Sequence, residues 1–384
     1  MSFYLNEDQV QKLLNIEDLT KSPTHAIALA KNKIIEALEA KFGLTANVIN
    51  PSPIVSKENN FYKLGYSDKD ETTKERYCKY TSEQNLFRTQ MTSAVPETLE
   101  TLAQDKTWSE KLYCFPGMVF RRDVVDRTHV GQPHQMDVWY LTNKRQMERR
   151  DLLELVQVVV DQVTEIFSKN EPEAFKKQGS KIEWRFNETE HNYTDHGIEV
   201  EIMYKGKWLE ILECGLAGRK LLTQSGLGPE YSGLALGMGL DRFIMLTKNI
   251  EDIRILRDKN AKIQAQMSNL GKYKPVSNQP CIKRDMSIAV WKGSLLETLT
   301  EKALEVMGDR EGWVEEITLV ASTPYEDLPE MIRPRLGIKE GQDNWHLRIV
   351  FRDLTSSIPS EEANSLYTQL YSKLHEGEGG YALK

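Results

Sequence analysis

The chain has 384 residues, enough for two domains of unequal size, and its 40% hydrophobic and 28% charged content is typical of a soluble globular protein. A net charge of −7 argues against a protein whose whole surface binds nucleic acid, but it does not exclude a local basic surface. The four cysteines form no CxxC pair and the N-terminus has no apolar signal core. The sequence therefore predicts a cytoplasmic protein with reduced thiols and without a structural zinc site, a secretory signal or a membrane span.

Two segments of the N-terminal part have helical spacing. Residues 24–42 place apolar side chains on one face, with Thr24 as the predicted N-cap and Gly43 as the predicted end. Residues 147–168 form a second, longer amphipathic pattern with acidic and basic side chains mixed on its outer face. Both are predicted helices.

Strands are predicted around and after the longer helix. Residues 113–142 contain two of them, CFPGMVFRRD and HQMDVWYL, and apolar and polar side chains alternate in the second. Residues 197–204 and 208–214 are predicted to pair as a hairpin, because Lys205-Gly206-Lys207 is a typical turn sequence. The glycine-rich run that starts at Gly233 is predicted to be a strand that continues into a helix.

The C-terminal third has a different order of elements. After a predicted linker at 273–280 come strand, helix, two strands, helix and a final strand on GYALK at 380–384. This βαββαβ order is typical of a ferredoxin-like domain. We therefore predict an α+β protein with one domain at 1–272 and a second at 281–384.

The segment 117–139 has the side chains for binding both a phosphate and an amine. Arg121 lies on the first strand, and Gln135 and Asp137 point to one side of the second, because they are two residues apart. Arginine binds phosphate through paired hydrogen bonds, and a carboxylate attracts an ammonium group. From the residues alone, a surface hairpin with scattered charges is the favoured interpretation.

The segment 233–242, GLALGMGLDR, has glycines that allow close approach of a backbone or a flat ligand. It lacks the GxGxxG spacing of a dinucleotide site, and the chain has no Walker lysine motif. Taken alone, the segment also fits a plain strand-to-helix junction.

In combination, these segments resemble class II aminoacyl-tRNA synthetases, in the form of the single-chain organellar phenylalanine enzymes. FRRD followed by THVGQPHQMD resembles motif 2 of that family, and GLALGMGLDRFIML resembles motif 3. TSA at 92–94 resembles its substrate-binding Thr-Ser block, and KGKWLEILECG at 205–215 resembles the strand pair before motif 3. The C-terminal pattern resembles the family's anticodon-binding domain, so the resemblance spans about 80–384.

The resemblance implies a role for individual side chains. Those implied to bind ATP, the first three also acting in catalysis, are Arg121, Arg242, His129, Thr128 and Glu210. Those implied to bind the amino acid are Thr92, Ser93, Ala94, Gln135, Asp137, His191, Tyr193, Ala235, Leu236 and Gly237. Mg²⁺ is expected as a second cofactor beside ATP, and Asp195 is a candidate ligand for it.

The resemblance also implies a tRNA partner. For tRNA binding, the basic residues of the C-terminal domain need to share one face: Lys283, Arg284, Arg333, Arg335, Arg348 and Arg352. An ordinary solvated surface is the alternative interpretation. The stretch 322–344 has no assigned role, and the match to the dimer-forming motif 1 at 24–56 is poor, so both a monomer and a homodimer agree with the sequence.

The sequence departs from the family in the amino-acid pocket. A Phe-Pro-Phe-Thr-Glu-Pro stretch of the family is His191-Asn192-Tyr193-Thr194-Asp195-His196 here, and the phenylalanine that stacks on adenine is Pro133. Asp241 replaces the usual glutamate of motif 3. Either His191 or Tyr193 makes a polar contact with a modified or more polar aromatic substrate, or both point outward and the substrate is phenylalanine.

The sequence thus predicts an enzyme that activates phenylalanine or a related aromatic amino acid with ATP and transfers it to tRNA. One alternative is a paralogue that adenylates an amino acid for a different acceptor. The other is a binding or regulatory protein without activity, against which the intact Arg121, Gln135, Asp137 and Arg242 argue.

Overall fold

The computed structural model describes residues 4–378 except Lys106, Gln178 and Ser180. Two compact units divide the chain: the first comprises Met1–Arg121, Gln132–Ile250 and Ala265–Tyr273, and the second comprises Arg122–Gly131, Glu251–Gln264 and Lys274–Lys384. The second unit therefore includes two segments that the predicted boundaries place in the first domain.

The strands of the first unit are β1 (Asn47–Val48), β2 (Ile54–Ser56), β3 (Asn85–Phe87), β4 (Glu110–Met118), β5 (His134–Thr142), β6 (Trp184–Glu188), β7 (Thr194–Tyr204), β8 (Lys207–Ala217) and β9 (Ser232–Gly239). Its helices are α1 (Glu7–Leu14), α2 (Ala26–Phe42), α3 (Lys57–Asn60), α4 (Val95–Gln104), α5 (Arg149–Asn170), α6 (Pro172–Lys177), α7 (Arg219–Gln224) and α8 (Leu240–Lys248). A further helix, α9 (Ala261–Met267), begins in the second unit and ends in the first.

A seven-stranded sheet forms the centre of the first unit, in the order β1-β4-β5-β9-β8-β7-β6. Every neighbouring pair is antiparallel except β1 with β4. The predicted turn between β7 and β8 is present: Lys205 and Gly206 both have positive φ angles, 48° and 80°, as a two-residue hairpin turn requires. The predicted antiparallel sheet flanked by helices is confirmed.

The helices α2, α5 and α8 contact one another and bury their apolar side chains. Ile27, Ile34 and Leu38 of α2 are completely buried, which agrees with the predicted amphipathic pattern. Gly43 ends α2 in the left-handed conformation, as predicted. The prediction of Thr24 as N-cap is wrong by one residue, because the His25 ring accepts the hydrogen bond from the Ile27 N–H.

The second unit contains β10 (Ile282–Trp291), α10 (Leu296–Met307), β11 (Val314–Pro324), α11 (Arg333–Leu336), β12 (Gln342–Phe351) and α12 (Ser360–Leu374). Its antiparallel sheet has the order β10-β12-β11, and apolar side chains of its strands form one core with those of α10 and α12. The last predicted strand, at 380–384, lies outside the described residues. The stretch 322–344 contributes to the ends of β11 and β12, and its Leu328 and Ile338 cover Ala289.

Contacts within the second unit explain why it includes the two unexpected segments. The Val125 carbonyl accepts a hydrogen bond from the Ile317 N–H at 3.3 Å. Arg254 donates to the Arg352 carbonyl at 3.1 Å and lies 3.5 Å from the Glu315 carboxylate. These contacts join residues far apart in sequence, so hydrophobic periodicity does not reveal them.

Lys248, at the end of α8, is completely buried and attaches the segment after α9 to the first unit. Its Nζ donates to the carbonyls of Gln266 at 3.0 Å, Asn269 at 2.8 Å and Gly271. Burial lowers the pKa of Lys248 to about 8. The ammonium group thus donates to three backbone carbonyls, one in the last turn of α9 and two after that helix.

We expect Lys248→Met to destabilise the first unit by about 3 kcal/mol, because the three carbonyls lose their donor while they stay buried. This corresponds to a fall in melting temperature on the order of 10 °C in a thermal unfolding experiment. Lys169→Met on the exposed side of α5 is the matched control. Equal melting temperatures for the two variants would contradict the structural role of Lys248.

Candidate active site

The surface of β5 that carries the predicted polar side chains is bordered by glycines on both neighbouring strands. Gln135 lies between Gly117 of β4 and Gly239 of β9, and Asp137 lies beside Gly237. Paired residues of antiparallel strands point to the same face, so Gly237 and Gly239 leave the β9 side of this face open. The space beside Gly117 is filled by the buried side chains of Arg88 and Met91. The result is a flat floor with two polar groups.

Asp137 is buried, with 6% of its surface exposed, and the Thr92 hydroxyl donates to its Oδ2 at 2.5 Å. Burial raises the pKa of Asp137 to about 7, against the opposing effects of the Thr92 hydrogen bond and the Arg121 charge. Ser93, the next residue after Thr92, has a buried hydroxyl with no hydrogen-bond partner among the described residues. The predicted Thr-Ser block therefore lies directly at the carboxylate.

Arg121 follows β4 and is held by one hydrogen bond, from its Nε to the Thr89 carbonyl at 2.8 Å. Its positive charge opposes the burial that raises the pKa of Asp137 and adds to the lowering of the pKa of Glu213, as expected for a guanidinium group near both carboxylates. In the part of the chain that the structure describes, its two Nη groups have no hydrogen-bond or ion-pair partner. They are available to an anionic ligand.

Arg242 lies in the first turn of α8, after β9. Its Nη1 donates to the Glu210 carbonyl at 3.1 Å and to the Glu210 carboxylate at 3.3 Å. About two fifths of each of the two side chains is exposed, so solvent and ligands reach the pair. The structure thus brings together two of the residues that the resemblance implies for ATP.

His191 and Tyr193 lie just before and at the edge of β7, and both point inward. The His191 ring lies 3.1 Å from the Glu213 carboxylate through Nε2 and 3.2 Å from the Thr194 hydroxyl through Nδ1. Tyr193 stacks on His191, and burial raises its pKa. The interpretation in which both side chains point outward is wrong.

Glu213 is a site residue that the sequence analysis missed. A regular strand points Glu210 and Glu213 to opposite faces, because they are three residues apart. The pairing of β7 with β8 is shifted between Leu212 and Glu210, so Ile211 is an extra residue in a β-bulge. The bulge brings both glutamates to one face, and no local pattern in the sequence signals it.

Two further positions concern the predicted pocket residue Leu236 and Pro133, which replaces the family's adenine-stacking phenylalanine. Leu236 pairs with Val138 and Cys214, so its side chain lies on the opposite face from Ala235 and Gly237, and its prediction as a pocket residue is wrong. Pro133 accepts a hydrogen bond from the Val119 N–H at 2.9 Å, which extends the pairing of β4 with β5.

Asp195 is a helix cap in this structure. Its Oδ2 accepts a hydrogen bond at 2.9 Å from the Arg219 N–H, at the start of α7. Across the described residues, no group of three or more His, Cys, Asp or Glu side chains is placed to hold a metal ion. The role of Asp195 as a metal ligand stays a prediction.

Thr128 and His129 lie in the segment Arg122–Gly131 of the second unit. Both contact the same carboxylate: the Thr128 hydroxyl donates to Asp126 at 2.9 Å, and His129 Nδ1 lies 2.9 Å from it. Both side chains are exposed. Their role in ATP binding stays a prediction.

The basic residues of the C-terminal sheet do not share one face. Lys283 and Arg348 lie on the face opposite the helices, but Arg284 binds Asn364 of α12 on the helix side. Arg352 is held by the Gln279 carbonyl and the Glu315 carboxylate. The predicted common face of these residues is therefore wrong, because neighbouring residues of a strand alternate between faces.

A comparison with protein families matches residues 9–267 to the model described as "tRNA synthetases class II core domain (F)". This match covers more than half of the chain, including every part of the site on the first unit. The chain belongs to this family. The predicted assignment to the class II aminoacyl-tRNA ligases is confirmed.

Several curated relatives of this synthetase cover most of its length. It is 26% identical to the probable mitochondrial phenylalanine–tRNA ligase of Drosophila melanogaster over 84% of this chain and 75% of that one. It is 25% identical to the mitochondrial enzyme of Saccharomyces cerevisiae, over 96% and 89% of the two chains. It is also 25% identical to the chloroplastic/mitochondrial enzyme of Arabidopsis thaliana, over 93% and 78%.

These relatives correct one prediction. The expected cytoplasmic location is contradicted, because all three enzymes are named as proteins of mitochondria or chloroplasts. Within the described residues of this synthetase, no helix is long and apolar enough to cross a membrane.

A buried pair that the sequence analysis missed links motif 2 of this synthetase to motif 3. His134 and Asp241 are both buried, and His134 Nδ1 lies 3.0 Å from the Asp241 carboxylate, which also accepts the His134 backbone N–H. The Leu19 N–H donates to Nε2 at 3.2 Å, so the proton of a neutral ring is on Nδ1. His134 directly precedes Gln135 and Asp241 directly precedes Arg242, so the pair positions both of these residues.

We expect Asp241→Ala to lower stability by about 3 kcal/mol, since it leaves a buried imidazole and a buried N–H without their acceptor. The measurement is thermal unfolding, with the exposed Asp161→Ala on α5 as control. In a double-mutant cycle, His134→Ala should add much less to Asp241→Ala than it costs alone. Additive effects of the two substitutions would show that they do not act as a pair.

Proposed function

We propose that this synthetase activates an aromatic amino acid, phenylalanine or a relative of it, with ATP and transfers the aminoacyl group to tRNA. The observation that supports this most directly is the arrangement of Asp137, Thr92 and Arg121 beside the glycine floor. It offers an acceptor for an ammonium group next to a guanidinium group with free donors. Arg242 and Glu210 border the same sheet.

In the proposed reaction, a carboxylate oxygen of the amino acid attacks the α-phosphorus of ATP. A new O–P bond forms, the bond from the α-phosphorus to the bridging oxygen breaks, and pyrophosphate leaves with that oxygen. A terminal hydroxyl of tRNA then attacks the carbonyl carbon of the adenylate and releases AMP. Such a reaction needs alignment and neutralisation of charge rather than a covalent enzyme group.

Each charged side chain has a task in this scheme. Arg121 donates its free Nη groups to the α-phosphate and to the attacking carboxylate. Arg242 binds the terminal phosphate, which replaces the Glu210 carboxylate as its partner. We assign Mg²⁺ to the phosphates of ATP, which supply the oxygen ligands that this ion prefers.

The test is ATP–pyrophosphate exchange with a panel of amino acids, followed by transfer to tRNA. We expect Arg121→Ala to lower kcat/KM for exchange by at least about 100-fold, because a preorganised donor to the reacting phosphate is lost. Arg149→Ala, which removes an exposed ion pair with Glu188, is the control. Absence of exchange with every amino acid would refute the proposal, and activation without transfer to tRNA would indicate a different acceptor.

The high pKa of Asp137 predicts a pH dependence for amino-acid binding. Only the carboxylate form attracts an ammonium group, so below about pH 7 binding must first displace a proton. We expect KM for the amino acid to rise roughly tenfold per pH unit below 7. Asp137→Asn should raise KM by about 10- to 100-fold and remove this pH dependence. The exposed Asp161→Asn is the control and should keep the pH dependence. A wild-type KM that is flat from pH 6 to 8 would contradict the prediction.

The raised pKa of Asp137 also makes the free energy of unfolding depend on pH. Between about pH 4 and 7 the folded chain keeps the Asp137 proton while the unfolded chain has lost it. The contribution of Asp137 to the free energy of unfolding therefore falls as the pH rises through this window and is constant above it.

A further inference from the structure

A second carboxylate lies on the same face of the sheet as Asp137, two strands away. Asp137 of β5 pairs with Gly237 of β9, which pairs with Glu213 of β8. Two strand spacings put the backbones of Asp137 and Glu213 roughly 10 Å apart. Gly237 has no side chain, so the surface between the two carboxylates is open. We call this surface, which runs from Asp137 over Gly237 to Glu213, the open row.

The Glu213 carboxylate is able to accept a hydrogen bond from a ligand. The His191 hydrogen bond keeps the pKa of Glu213 below its usual range, so the carboxylate is ionised. As far as the described residues go, only its Oε2 has a hydrogen-bond partner. With 46% of the side chain exposed, Oε1 is accessible from the open row.

Aromatic side chains surround this acceptor. Tyr193 stacks on His191 with ring centroids 5.9 Å apart. Tyr66 packs against the same apolar cluster as Tyr193, a cluster that includes Trp139 and Ala235. Trp139 and Ala235 are buried side by side on the same face of the sheet. These surroundings suit a flat ring whose far end carries a polar group.

We propose that the amino acid activated at this site carries a phenolic hydroxyl, which donates a hydrogen bond to Glu213 while His191 holds that carboxylate in place. The inference rests on the proposed function, because it takes Asp137 as the partner of the ammonium group. The ammonium and the hydroxyl then bind at opposite ends of the open row. Glu213 determines specificity, and His191 is a positioning residue.

Phenylalanine fits such a site less well. Its ring displaces water from Glu213 Oε1 and supplies no donor, so the carboxylate loses a hydrogen bond without compensation. Sites built to bond a substrate hydroxyl reject the analogue without it by about 10⁴- to 10⁵-fold. Because Glu213 is partly exposed, we expect a smaller preference, on the order of 100-fold.

The experiment is ATP–pyrophosphate exchange by the full chain with L-tyrosine, L-meta-tyrosine and L-phenylalanine as separate probes. We expect kcat/KM for one of the two phenols to exceed that for phenylalanine by about 100-fold, mainly through KM. Phenylalanine equal to or better than both phenols would overturn this inference and leave the proposed function intact. Absence of exchange with all three aromatic amino acids would overturn the proposed function instead.

Substitutions test whether the preference for a phenol over phenylalanine depends on Glu213. Glu213→Gln should reduce the ratio of kcat/KM values for phenol and phenylalanine to about tenfold or less, since a neutral amide is a weaker acceptor. His191→Phe should reduce it as well, because Glu213 loses its support. Glu188→Gln, a carboxylate on the exposed strand β6, should keep the wild-type ratio. If Glu213→Gln leaves this ratio unchanged, the proposed role of Glu213 is overturned. The wild-type panel of amino acids decides the substrate class even if a variant does not fold.

Discussion

The site depends on the register of β5 between β4 and β9. In this register Gly239 and Gly237 of β9 lie beside Gln135 and Asp137, so the two polar groups have open space on the β9 side. A shift by one residue would turn the amide and the carboxylate toward the helices and put Met136 and Val138 in their place. The buried pair of His134 and Asp241 opposes such a shift, because it ties the first residue of β5 to the first turn of α8.

Asp137 and Glu213 differ in their burial and in the groups that stabilise their negative charge. Asp137 is far removed from water, and among the described residues Thr92 and the charge of Arg121 stabilise its carboxylate form. An ammonium group is the natural partner for such a carboxylate, since it supplies the missing positive charge. Glu213, by contrast, is partly exposed and already has His191 as a partner. The two carboxylates thus differ in environment, which suits them to different groups of one substrate.

Much of the fold follows from local patterns. The periodicity of α2, the alternation in β5 and the turn between β7 and β8 all match the structure, because each depends on residues close in sequence. Prediction failed for Leu236 and Arg284, which were grouped with neighbours that point the other way. It also failed to show that two distant segments join the second unit, since hydrogen bonds such as the one from Ile317 to Val125 have no local signature.

The sequence by itself determined the family, the order of helices and strands, and the identity of the charged groups at the site, because motif residues and periodicity are properties of short segments. Only the tertiary structure decided which of these groups meet. The pairing of β8 with β9 puts Glu213 on the face of Asp137, and the bulge at Ile211 brings Glu210 to the same face. The inward position of His191 gives Glu213 a partner. Both depend on the pairing of strands that are separate in the sequence, and such pairing is set by the whole sheet.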